Sequence, residues 1–142
     1  MDTDGEEHVI RSAQRLPLRV VELGRRGRGV VAERAIEAGA LIERSPVIIV
    51  PEAERAAIDP TNVGNYIFVW EPGTRGEDVY TGRGRAAIAL GYTSLLNHSA
   101  EPNCAFVRHI AARTLDLVAL RRIEAGEELT FDYDMTLWFA PE

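Results

Sequence analysis

The sequence predicts a single domain of mainly β structure, and three observations carry that prediction. The 142 residues amount to about one domain's length. The apolar residues fall in short β-rich runs punctuated by glycine and proline. Little of the chain reads as helix. A hydrophobic fraction of 46% with 27% charged residues is ordinary for a globular protein. A chain of this size buries roughly two thirds of its unfolded surface, so its core needs neither a metal nor disulfides.

Residues 1–15 are polar and aperiodic and read as a disordered leader, which leaves 16–142 as the folded domain. Leu18, Val20 and Val21 lead into the glycine-rich turn Gly24-Arg25-Arg26-Gly27-Arg28-Gly29, and Val30-Val31-Ala32 leaves it as a second strand. After a turn at Glu37-Ala38-Gly39, Ala40 to Glu43 is followed by a buried strand, Val47 to Val50, bounded by Pro46 and Pro51. Pro51 to Ile58 suits one or two helical turns, with Pro51 at the first position and Glu52 and Glu54 favouring the start. Tyr66 to Trp70 is a β-rich run, and Pro72 to Gly76 reads as a hairpin loop before Asp78-Val79-Tyr80. Ala86 to Leu90 is open between helix and strand. Ala105 to Val107 and Leu115 to Leu120 suit a hairpin, and Gly126 to Tyr133 begins in a turn and becomes extended. Ile36-Glu37-Ala38-Gly39 recurs as Ile123-Glu124-Ala125-Gly126, which indicates one turn chemistry used twice, with glycine at a positive φ.

All 16 basic residues are arginine, which excludes a lysine nucleophile, a Schiff base or a P-loop lysine. The net charge of -6 disfavours direct binding to a nucleic-acid backbone. From Glu124 to Glu142 the chain carries six acids and no arginine, an end to which a basic peptide would be drawn. The lone Cys104 cannot form an internal disulfide, and no apolar run approaches the roughly 18 residues of a membrane span. The expectation is an intracellular, cytoplasmic chain without membrane contact.

Three segments remain: Gly27-Arg28-Gly29, then Asn97-His98-Ser99 with Pro102-Asn103-Cys104, then Gly126-Glu127-Glu128-Leu129 running to Tyr133. Each alone has an ordinary explanation. The glycines lack a dinucleotide-binding spacing. His98, Cys104 and His109 lack the paired-ligand spacing of a zinc site, so no metal is expected. Cys104 reads as a small buried hydrophobe, Asp132 and Asp134 as a solvated alternation, and Trp138 and Phe139 as a docking segment for the core. Together, in this order and spacing, they resemble the SET-domain protein lysine methyltransferases over about residues 16 to 140, in the small bacterial or viral form without cysteine-rich flanking modules.

That resemblance implies a fold of small β-sheets in which Asn97-His98-Ser99 threads beneath the Asp132-Tyr133 segment as a C-terminal pseudoknot. It further implies an S-adenosylmethionine site held by Arg28, Gly29, Asn97 and His98, with Tyr133 as the catalytic residue. Tyr66, Tyr92, Phe106 and Trp138 would line the channel for the substrate lysine. Phe106 falls where many family members carry tyrosine, and a second channel tyrosine expected near Ser45 is missing. Methyl transfer from a sulfonium to an amine is an in-line displacement, so alignment supplies much of the rate. Presenting lysine neutral at pH 7 costs about 4.6 kcal/mol from its reference pKa, and a desolvating channel beside the sulfonium lowers that cost. The implied partner is a basic protein or peptide containing lysine. The resemblance also admits a homodimer that completes the channel, and a nuclear location in a eukaryote. The alternative is a non-catalytic SET-fold module that recruits a basic tail.

Overall fold

The computed structural model describes residues 16–71, 84–132 and 138–139, the last two by backbone alone. The leader, the loop from Pro72 with Asp78 to Tyr80, Tyr133 to Met135 and the Trp138 and Phe139 side chains lie outside the described residues.

Strands β1 (Leu18–Glu22) and β2 (Arg28–Ala32) form the expected antiparallel hairpin, paired from Leu18 with Ala32 to Glu22 with Arg28. A single 3₁₀ turn, Gly24–Arg26, joins them. The next strand differs from expectation. β3 runs unbroken from Leu41 to Val50, with Pro46 inside it rather than at its boundary. The reason is a change of partner. Up to Pro46 the strand pairs with β8 (Thr114–Ala119), and from Val47 with β5 (Arg85–Ala89). Proline is tolerated at this handover because it donates nothing to either ladder, while its carbonyl still accepts from the Leu90 N–H at 3.0 Å.

Helix α1 (Glu52–Ile58) follows, with Pro51 at the N-cap instead of the first helical position. A 3₁₀ turn at Asn62–Tyr66 then takes Tyr66 out of the predicted strand, which is β4 (Ile67–Glu71). β4 pairs antiparallel with β5, so the ambiguous segment is a strand. β7 (Cys104–His109) and β8 make the predicted hairpin, and β10 (Trp138–Phe139) adds in parallel to β7. The resulting sheet has the order β10-β7-β8-β3-β5-β4. Separately, β6 (Asn97–His98) and β9 (Thr130–Phe131) pair in parallel, as the pseudoknot requires.

The two Ile-Glu-Ala-Gly segments meet. Ile36 and Ile123 exchange both backbone hydrogen bonds, at 2.8 and 2.9 Å. Gly39 donates to the Ala119 carbonyl and Gly126 to the Ala32 carbonyl, so the same bond is made once from each side. Both glycines have the expected positive φ, 82° and 87°.

Trp70, Leu115, Leu117, Ile123 and Leu129 are fully buried in the core. Phe106 joins them, edge-on to Phe68 and tilted against Phe131 with ring centroids 4.9 Å apart in both pairs. Such contacts add about 0.5 to 1.5 kcal/mol to area burial.

Two of the acids in the run that begins at Glu124 are paired: Arg121 reaches Glu127 at 2.5 Å, and Arg122 reaches Glu124 at 2.9 Å and Glu37 at 2.5 Å. Hydrogen bonding to Arg121 holds the Glu127 carboxyl down to about 2. The two arginines stand just upstream of the run, and the fold turns them back onto it. Elsewhere in the large sheet, Asp116 accepts from Arg44 at 2.6 and 2.8 Å and pairs with His109 at 2.8 Å, which keeps its carboxyl below the usual aspartate range.

Candidate active site

Four separate stretches of chain enclose a cavity of about 290 Å³. Gly27 comes from the β1–β2 connection and Arg28 from the start of β2, and Asn65 to Phe68 come from the 3₁₀ turn and the start of β4. Ser94 to His98 come from a second 3₁₀ turn (Tyr92–Leu95) and β6, and Phe131 from β9. Aromatic, aliphatic and amide side chains all contribute to the wall. A site of this kind suits a ligand with an apolar ring at one end and a polar group at the other.

Asn97 is fixed from two sides. Its Nδ2 donates to the Arg28 carbonyl at 3.0 Å and to Glu128 Oε2 at 2.8 Å. Gly29 makes room for this contact: a Cβ there would stand 2.8 Å from Glu128 Oε2 and 3.0 Å from Asn97 Nδ2. The space left by the missing Cβ is therefore filled by these two side chains and Leu23, rather than by a ligand. His98 is exposed, with Nδ1 3.7 Å from Asp132 Oδ1.

Two buried polar side chains hold the frame. Asn103 donates from Nδ2 to the Glu128 carbonyl at 2.8 Å and accepts the Thr130 N–H at 2.9 Å, acting as a short piece of strand beside residues 128 to 130. Glu43, on β3, accepts from the Tyr92 N–H at 3.1 Å, the Thr93 N–H at 2.8 Å and the Thr93 hydroxyl at 2.6 Å. It anchors the start of the turn whose far end lines the cavity. Cys104 is fully buried, and desolvation pushes its thiol up to about 12, in keeping with a packing role. Among the described residues, no group of three or more His, Cys, Asp or Glu side chains is arranged to hold a metal ion.

Of the residues the resemblance assigned to the cofactor, Arg28, Asn97 and His98 share this cavity, and Gly29 is next to it. Tyr66, assigned to the lysine channel, opens on the same cavity. Tyr92 is half-buried and packs against the main core, and Phe106 lies one ring behind Phe68 and Phe131. Tyr133 and the Trp138 side chain lie outside the described residues. Sequence reasoning missed Asn65, Ile67, Phe68, Ser94, Leu95, Leu96 and Phe131. Ser94 to Leu96 directly precede the Asn97 motif, and Phe131 lies within the Gly126 to Tyr133 motif, so their places in the sequence could have pointed to them. Asn65, Ile67 and Phe68 lie beside Tyr66 but belong to none of the three motif segments.

The fold and the cavity define a class of protein. Residues 27–134 match the SET domain family, and the chain belongs to that family. Among individual relatives, the histone-lysine N-methyltransferase, H3 lysine-37 specific, of Schizosaccharomyces pombe is 34% identical over 135 residues, spanning 94% of this chain and 82% of the relative. The human histone-lysine N-methyltransferase 2B is 36% identical over 115 residues, 75% of this chain and 4% of that protein. A crystal structure of a Plasmodium falciparum protein described as a histone methyltransferase superposes with a TM-score of 0.59 at 18% identity. It covers 84% of this chain and 98% of its own, and it supports the fold alone.

Proposed function

We infer that this chain is a protein-lysine N-methyltransferase that takes S-adenosylmethionine into the cavity bounded by Arg28, Asn97, His98 and Phe131. The observation that carries the site is the parallel pairing of Asn97–His98 with Thr130–Phe131, which draws two distant motifs to one wall. When bound, the cofactor supplies a methyl group on a sulfonium, a cation whose proximity disfavours the ammonium form of an incoming lysine. The chain's part is to align that amine, exclude water and orient its lone pair. The Tyr133 hydroxyl is assigned the last of these tasks by the family resemblance.

The proposed substrate is a lysine in a basic protein tail. The net charge of -6 favours such a partner, and the S. pombe relative's name specifies histone H3. An enzyme acting on chromatin would share its compartment, so the location follows the substrate. The test is transfer of labelled methyl from S-adenosylmethionine to a panel of basic proteins including histone H3, with mass spectrometry of the product. The chain itself has no lysine, so all methyl-lysine found belongs to the substrate. Transfer to one or more panel members is expected, together with a rise in melting temperature on adding the cofactor. An unchanged melting curve in millimolar cofactor would overturn the site.

Phe106 is proposed to influence how many methyl groups are added. A phenol in its place would bring a hydrogen-bonding group toward the space where the amine turns between transfers, and one such bond is worth about 0.5 to 1.5 kcal/mol net. The wild type is expected to proceed beyond monomethyl-lysine, and Phe106→Tyr to shift product toward the monomethyl form several-fold. Product ratios at matched turnover decide this. The same distribution in both proteins would leave Phe106 as a core ring only.

A further inference from the structure

We propose that Glu128 is a positioning residue for the cofactor's amino-acid end, acting through Asn97; the inference rests on the S-adenosylmethionine reading above. Both groups facing Asn97 Nδ2, the Arg28 carbonyl and the Glu128 carboxylate, accept hydrogen bonds. The amide therefore has one orientation only, with its nitrogen toward them. Its two N–H donors are consumed, and the group left to a ligand on this cavity-lining residue is Oδ1, an acceptor.

An acceptor at that point selects a donor. S-Adenosylmethionine carries a cationic donor, the ammonium of its amino-acid end. A carboxylate hydrogen-bonded to the far side of the amide polarises it and strengthens Oδ1 as an acceptor. The absent Cβ of Gly29 is what lets the carboxylate reach the amide, since a side chain there would enter the space both occupy. Three residues from separate segments thus cooperate in one recognition element: Gly29 gives room, Glu128 orients, and Asn97 binds.

Three probes test this by calorimetric titration: S-adenosylmethionine, its decarboxylated form, which keeps the amine, and 5′-methylthioadenosine, which lacks the whole amino-acid end. E128A is expected to weaken both amine-bearing probes about tenfold or more while leaving methylthioadenosine within about twofold. E128Q retains an acceptor for Asn97 Nδ2 and is expected to recover most of the loss. The E128A/N97A double variant should bind no more weakly than N97A, because the two act as a unit. Equal loss of all three probes in E128A would make Glu128 merely structural and overturn the proposal, as would no loss of any. Failure of the unmutated chain to bind S-adenosylmethionine would instead overturn the cofactor reading itself.

Discussion

Tyr133→Phe is expected to slow methyl transfer by an order of magnitude or more while changing cofactor affinity little. The assignment comes from the Gly126 to Tyr133 motif and the chemistry it serves. An amine approaching a sulfonium must point its lone pair along the line of the breaking bond. A phenol oxygen near the amine accepts one of its hydrogens and restricts its rotation. Removing the hydroxyl leaves the aromatic ring, so the loss should fall on the chemical step. In kinetic terms, kcat and kcat/KM for the peptide fall together, while cofactor binding by titration stays near the wild-type value. A variant with wild-type turnover would move the catalytic role to another residue. A variant that binds cofactor poorly would show that the tyrosine shapes the cavity instead.

The second large effect is on stability. Glu43→Ala removes an acceptor from two backbone N–H groups and one hydroxyl at a buried site. An unsatisfied buried donor costs about 1 to 3 kcal/mol, and partial relaxation of the turn brings the expected total to about 3 kcal/mol. For a chain of this length that is a fall in melting temperature of about 10 °C. Glu43→Gln keeps one acceptor oxygen and should recover part of the loss. Denaturant unfolding of the three proteins measures the series. A loss below about 1 kcal/mol in the alanine variant would mean that water replaces the carboxylate. The turn it anchors carries Ser94 and Leu95 to the cavity, so cofactor affinity should fall with stability in this variant.

Glu43 also illustrates what a sequence conceals. A glutamate in an apolar strand reads as a solvated position, and only the fold shows that residues 92 and 93 arrive beside it with their N–H groups directed at its carboxylate. The hairpins were legible because the local pattern contains both partners: Leu18 to Ala32 and Cys104 to Ala119 each hold two apolar strands and their turn. Pro46 misled for the opposite reason. Its tolerance depends on a change of partner between β8 and β5, and no neighbouring residue records that change. The motifs around Asn97 and Glu128 were legible as text, and their mutual contact was not, since it joins residues from different segments. The pairing of Glu124 and Glu127 with Arg122 and Arg121 lay outside a window that began after those two arginines.

The reciprocal bonds between Ile36 and Ile123 have a kinetic consequence. They close a loop that contains most of the folded chain, and closing a loop of such length costs about 4 kcal/mol in chain entropy, apart from a constant. Two hydrogen bonds cannot offset that alone. The clasp therefore forms only after the intervening strands have already shortened the path, and neither half of the chain carries a finished cavity before the other arrives. Folding dominated by such distant pairings is slow, on the order of milliseconds to seconds. Ligand-binding competence should emerge in a single late phase shared by the whole chain.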